Sequence, residues 1–193
     1  RLSAVVVTHY HADHTNGLYE VLRRVPVDKL YLPDIEDEYG VRERLTALAE
    51  EKDVQVVWVT DTVTCPLGQA VLTVYPPVKS GGDLNELGLT ALATSGGFDL
   101  LITGDMSGST ERKLAETYPL PDVEVLVVSH HGSRYSSDIR FLKAVTPEAA
   151  VISVGDNSYG HPSEETVQRL LAVGAEIWRT DRQGNIRITV NGG

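Results

Sequence analysis

The chain has 193 residues, 41% of them hydrophobic and 23% charged, which is ordinary for a globular protein with room for a sizeable core. Its formal net charge of −10 argues against broad nonspecific adhesion to nucleic acid, yet leaves open an enzyme that grips a phosphodiester through metal ions. No apolar run approaches a membrane span, and one cysteine, Cys65, leaves neither an internal disulfide nor a cysteine-based metal cluster.

Strand-like and helix-like segments alternate along the chain. Leu2–Thr8 reads as a buried strand, and residues 16–24 as a short helix with Leu18, Val21 and Leu22 on one face. Lys29–Leu32 is a strand stopped by Pro33. Residues 38–51 carry Val41, Leu45, Leu48 and Ala49 at helical spacing, and Gln55–Val59 is rich in β-branched residues. The acids at 34–38 and at Glu43, Glu50, Glu51 and Asp53 read as a solvated helix face and its flanking loop. Thr73–Tyr75 ends at two prolines. Strands over 87–94 and 98–103 flank Ser95-Gly96-Gly97, a hairpin signal. Helices follow at 110–116, 138–145 and 164–172, with strands at 123–128 and 149–154. Glu176–Arg179 and Asn185–Val190 suggest a final strand pair. The pattern predicts one α/β domain over residues 1–193, its sheet covered by helices. Cys65, Trp58 and Trp178 read as packing residues, the tryptophans in the core or at its rim.

The chemistry concentrates in His9-Tyr10-His11-Ala12-Asp13-His14, a loop at the end of the first strand. Imidazole and carboxylate suit Zn²⁺, Mn²⁺ or Fe²⁺, and without cysteine a closed structural zinc site is not expected. His9 and His11, two apart, can face one ion, while Asp13 and His14 can turn to a second beside it. The other histidines are His130-His131 and His161. Each follows a strand or sits just beyond one, which suggests one site at one end of the sheet. Asp105 emerges after the apolar run Leu100–Ile102, where Gly104 permits close backbone approach, and its carboxylate can bridge two cations. One of His130 and His131 can complete a metal shell and the other face substrate. His161 can bind a phosphate or protonate a leaving group. No Gly-x-Ser-x-Gly elbow supports a serine nucleophile.

Taken in order, His9-x-His11-x-Asp13-His14, Thr103-Gly104-Asp105 after a hairpin, and a strand ending in His130-His131 resemble the metallo-β-lactamase superfamily. More narrowly, Ile102–Asp105, Ser129–Ser133, Tyr159-Gly160-His161-Pro162 and Thr180-Asp181 resemble the C-terminal hydrolase domain of the ComEC/Rec2 competence proteins. The resemblance implies an αββα sandwich and one or two divalent ions, Zn or Mn, with no small organic cofactor. It implies His9 and His11 on the first ion, Asp13, His14 and one of His130 and His131, with His131 favoured, on the second, and Asp105 between them. It places Asp13, His130 and His161 among the catalytic groups, with a metal-bound hydroxide as nucleophile. It further implies DNA as substrate, a single strand or the strand that is not imported. It also implies a membrane-channel portion as partner and the extracytoplasmic face of a bacterial membrane as location; a free-standing enzyme would instead be cytoplasmic or of unknown location.

Two departures stand out. Many superfamily members carry a further histidine between the opening motif and the bridging aspartate; here residues 15–104 contain none, and Asn85 lies in that interval, read as a loop hydrogen-bonder. One ion is therefore expected to be exchangeable. The family's early strands also exceed the single strand 2–8, so the sequence is expected to start partway through a domain and leave an open sheet edge. Three functions follow: a metal-dependent phosphodiesterase or DNase of DNA uptake, a free-standing hydrolase of a small phosphoester, lactone or thioester, and a non-catalytic DNA-guiding module that retains a metal.

Overall fold

The computed structural model describes residues 1–190. Strands β1 (Leu2–Val6), β2 (Val27–Pro33) and β3 (Gln55–Val59) form a parallel sheet in the order β1-β2-β3. Its crossovers are the short helices α1 (Ala12–Thr15) and α2 (Leu18–Arg24), and then α3 (Val41–Glu51). A second sheet begins as an antiparallel meander, β4 (Val63–Leu67), β5 (Ala70–Tyr75), β6 (Thr90–Ser95) and β7 (Phe98–Ile102). It continues in parallel through β8 (Val125–Val127), β9 (Ala149–Ile152) and β10 (Glu176–Arg179). Helices α4 (Gly108–Thr117), α5 (Ile139–Val145) and α6 (Glu164–Ala172) connect these strands, and α7 (Thr180–Gln183) follows β10.

Strand period two sorts the apolar residues into layers. In β2, Leu30 and Leu32 pack against Leu45, Leu48 and Ala49 of α3, whereas Tyr31 faces the other sheet beside Val59, Cys65 and Val74. In β5, Val74 joins that inter-sheet core, while Tyr75 packs outward with Leu92, Leu101, Leu114 and Phe141. The result is helices, sheet, sheet, helices: the αββα sandwich.

Two sheets replace the single one expected from the alternation, because the period cannot say where one sheet stops. Strand β4 was not anticipated. Pro66 interrupts its sequence, and proline is tolerated there because β4 is the edge of its sheet. The expected strand at 185–190 is absent. After Gly184 the chain leaves the sheet edge, and Ile186 and Ile188 border a cleft over the face formed by Val125, Val151 and Trp178. The alternating apolar residues that suggested a strand lie over a face instead of pairing with an edge. Trp58 is a rim residue, stacked under the Arg42 guanidinium 4.4 Å from its ring centre.

The parallel register sets up the functional end. Ile102, Val127 and Val151 are level across β7, β8 and β9, so Asp105, His130-His131 and Ser153 leave adjacent strand ends. Strand β1 of the other sheet reaches the same place. Gly104 makes this approach possible: its φ is +63°, and a Cβ there would stand 3.1 Å from the Thr8 Cβ.

Candidate metal centre

The opening loop is tied down locally. The Tyr10 hydroxyl donates to the Pro33 carbonyl at 2.7 Å, pinning the loop to the end of β2, and the Thr15 hydroxyl donates to the His11 carbonyl at 2.9 Å. With Tyr10 buried beneath it, the loop turns His9 inward and presents Asp13 at the surface.

From the other strand ends come Asp105 and the 129–132 turn. His130, His131 and Gly132 all have φ between +50° and +83°. Two successive non-glycine residues in that region cost about 1–3 kcal/mol each, so the turn must be held by its surroundings. The Ser163 N–H donates to the Gly132 carbonyl at 2.9 Å. A Cβ on Gly132 would lie 2.5 Å from the Pro162 Cβ, so the His161 loop packs directly on the turn.

The ligating atoms of Asp13, His14, Asp105 and His131 lie within 4.8 Å of one another. His14 Nε2 is 3.2 Å from Asp105 Oδ1 and 3.5 Å from Asp13 Oδ2; His131 Nε2 is 3.3 Å from Asp13 Oδ2 and 3.7 Å from Asp105 Oδ2. His9 Nε2 reaches 3.9 Å from Asp105 Oδ2, and its ring meets His11 edge-on at 4.9 Å between centres. His130 Nε2 stands 3.9 Å from Asp105 Oδ2, and its ring faces His161 at 5.5 Å. All eight residues singled out in the sequence therefore gather at one end of the fold. Four share one tight set of ligating atoms, and His9, His11, His130 and His161 border it.

Three features of this set fit a divalent cation. The buried Nε2 atoms of His9, His14 and His131 make no hydrogen bond, a cost of about 1–3 kcal/mol each for a group with no other purpose. The 3.2 Å approach of His14 to Asp105 lacks hydrogen-bond alignment. His131 Nδ1 donates to the Ser153 carbonyl at 2.7 Å, which turns Nε2 toward the carboxylates. Imidazole nitrogens with carboxylate oxygens suit Zn²⁺ or Mn²⁺.

The site polarises its own groups. Burial, reinforced by the nearby His14, lowers the His9 pKa to about 3 and keeps that ring neutral. Burial opposes charge on Asp105, but His14, His9 and His131 outweigh it and hold the carboxylate near 2. Burial also works against charge on His14, where Asp105 and Asp13 prevail and raise its pKa. An ionised, buried carboxylate among imidazoles is a ready anion for a metal.

Sequence reasoning missed the support beneath these loops. Glu111 of α4 is fully buried; it accepts from the Ser129 hydroxyl at 2.6 Å and from the N–H groups of Ser137 and Asp138 at 2.9 and 2.8 Å. Ser129 in turn meets Thr103 at 2.5 Å between hydroxyl oxygens, linking the strand ends that carry His130 and Asp105. Burial pushes Glu111 up to about 7 against the pull of these donors. Its position one turn before the buried Leu114, on the core face of α4, is the signal that could have found it. The Arg169 side chain likewise caps the carbonyls of Arg134, Ser136 and Ser137. Asn85 departs from the hydrogen-bonding role read for it, because its buried Oδ1 has no partner.

Two clefts flank the cluster. On the His11 side, a cleft of about 720 Å³ is bordered by Glu36, Asp37, Glu38, Glu43 and Asp83, and its Arg42 is engaged by Asp34 at 2.9 Å. On the His131 side, a cleft of about 410 Å³ runs from Asp13 and His131 past Asn157, Tyr159 and His161 to Thr180.

The sequence profile of the metallo-beta-lactamase superfamily matches residues 1–156. The chain is 29% identical over 196 residues to ComE operon protein 3 of Bacillus subtilis (strain 168), covering 97% of this chain and 24% of that protein. It is 32% identical over 195 residues to competence protein ComA of Neisseria gonorrhoeae, covering 100% and 26%. It is 27% identical over 188 residues to recombination protein 2 of Haemophilus influenzae, covering 97% and 22%. It thus spans about a quarter of the length of the curated relatives it matches. Among solved structures, it is similar in fold to a mutant of CmlA beta-hydroxylase, with TM-score 0.61 and 17% identity, covering 93% of this chain and 43% of that one. The metallo-beta-lactamase fold protein YhfI from Bacillus subtilis follows, with TM-score 0.55 and 12% identity, covering 93% and 75%.

Proposed function

The chain belongs to the metallo-beta-lactamase superfamily of hydrolases, and we propose that the bond it cleaves is a phosphodiester of DNA during DNA uptake. The observation that carries this reading is the set of buried, unpartnered imidazole nitrogens around an ionised Asp105. It stands in a chain similar over nearly its whole length to proteins named for competence and recombination, which are processes of DNA. We further propose a membrane-channel portion as partner and the extracytoplasmic face of a bacterial membrane as location, as the resemblance of the motifs to the ComEC/Rec2 proteins implies.

In this reading His9 and His11 would hold one divalent ion, Zn or Mn, Asp13, His14 and His131 would hold the other, and Asp105 would serve as a further ligand. Such ions, when bound, supply Lewis acidity that lowers the pKa of water and offsets charge on a phosphate. The protein's own residues do the remaining work. His131, oriented through Ser153, keeps its Nε2 on the cluster. His161 borders the cleft where a phosphate would sit, and the His130 ring stands against it. Burial and the adjacent His130 and His131 lower the His161 pKa, so its ring is neutral until an anion arrives. A phosphate in the cleft would act in the opposite direction and favour a proton on His161, which could then pass to the leaving oxygen.

The test is cleavage of DNA by the purified chain with Mn²⁺. Asp105→Asn and His11→Ala are expected to abolish cutting while circular dichroism shows an intact fold. Robust cutting by both variants would overturn the assignment. A second reading, a hydrolase of small phosphoesters, lactones or thioesters, is favoured by the acidic cleft beside His11, which repels a polyanion. A panel of chromogenic esters run against DNA separates the two.

A further inference from the structure

Tyr159 is 83% exposed, an unusual place for an aromatic ring. Its loop is nevertheless built to hold it. The Asn157 carboxamide oxygen accepts from the Tyr159 and His161 N–H groups at 3.1 and 3.0 Å, and its nitrogen donates to the carbonyls of Gly155 and His161 at 2.9 and 2.8 Å. One side chain thus uses its hydrogen-bonding capacity to shape residues 155–161. The product is a pair of stacked rings, Tyr159 on His161, 5.9 Å between centres and 30° between planes. Both rings border the cleft that opens on Asp13 and His131.

We propose that Tyr159 and His161 form a stacking platform for a base of single-stranded DNA, next to the phosphodiester held at the metal centre. The inference rests on the phosphodiesterase reading and adds the substrate's form and direction of entry. Stacking needs an exposed, rigid aromatic face, and a base in a duplex is already stacked on its neighbours and cannot offer one. The charge distribution points to the same side. Five carboxylates and the Asp34-engaged Arg42 border the cleft by His11, against two carboxylates, Asp13 and Asp156, on the His131 side, so a polyanionic backbone meets less repulsion on the latter. The volume of about 410 Å³ is within the ~300–1,000 Å³ usual for small-ligand sites, enough for one base to settle beside its phosphate.

The experiment measures equilibrium binding of a fluorescent short oligothymidylate, and of an abasic strand of equal length and charge, by the 193-residue chain. Chelator is present so that binding is read without cleavage. The wild type is expected to prefer the strand with bases. Tyr159→Ala is expected to weaken its binding by about 5- to 150-fold, the range of one base–aromatic stack, and to erase the preference. Tyr159→Trp should retain it. Tyr135→Ala is the control: that tyrosine is 77% exposed on the neighbouring loop but does not border the cleft. Equal binding of the two strands by the wild type, no measurable binding, or a preference untouched by Tyr159→Ala would each overturn the proposal. Base preference without Mn²⁺-dependent cleavage keeps the platform and sinks the phosphodiesterase; cleavage without base preference does the reverse.

Discussion

Replacing Glu111 by glutamine should change the pH dependence of stability in a direction that depends on its burial. Glutamine is close to an isostere of the protonated carboxyl. Its carbonyl can still accept from Ser129 and Ser137, while its amide nitrogen meets the Asp138 N–H, a donor facing a donor. That mismatch costs about 1–3 kcal/mol at any pH. The wild type carries a different, pH-dependent cost. Its carboxyl has a pKa near 7 in the fold against an ordinary 4.5, because burial penalises the charge. The folded state therefore binds more proton than the unfolded state between those values, and stability falls as pH rises through that window. At ~1.4 kcal/mol per pH unit, the interval from 4.5 to about 7 amounts to about 3 kcal/mol, fully lost above pH 7 and fully retained below 4.5. Urea unfolding of both proteins with chelator present, from about pH 4.5 to about pH 8, measures the difference, and the site histidines titrate alike in both and cancel. The variant should be the less stable at low pH and gain on the wild type by about 3 kcal/mol across the range. A difference that stays constant with pH would show that the buried charge is not penalised, and would refute the reasoning.

Gly132→Ala should destabilise by about 1–3 kcal/mol in urea unfolding, since its φ is +83° and the new methyl would meet Pro162. Metal affinity in calorimetry should fall with it, because the same turn presents His131. Leu101→Ala, at the centre of the outer core, should cost about 2–5 kcal/mol by chemical denaturation. Mn²⁺ at a hundredfold excess over its dissociation constant should stabilise the metal-free protein by about 2.7 kcal/mol in thermal unfolding, and His131→Ala should remove most of that gain.

Much of the site was legible before folding because its chemistry is local or lies at strand ends. His9, His11, Asp13 and His14 occupy one loop, and Asp105 and His130-His131 each follow an apolar run that only a buried strand explains. Less visible was what depends on distant partners. Glu111 looks like any helical glutamate until Ser129, Ser137 and Asp138 close around it. Strand β4 was hidden by Pro66, harmless only because no strand pairs with its outer side. Residues 185–190 carry a strand's alternation but lie over a sheet face.

By itself, the sequence determined the inventory of ligands, their placement at strand ends and the alternation of strands and helices, since these follow from residue type and period; the division into two sheets was decided by packing. Tertiary structure alone decided which histidine nitrogen faces the carboxylates, because the choice rests on a hydrogen bond between His131 and Ser153, twenty-two positions apart. It also decided that five carboxylates gather at the approach beside His11 and that the Tyr159–His161 ring pair stands at the other. Those surfaces are assembled from segments far apart in the chain, and only packing brings their charges and rings to opposite sides of one centre.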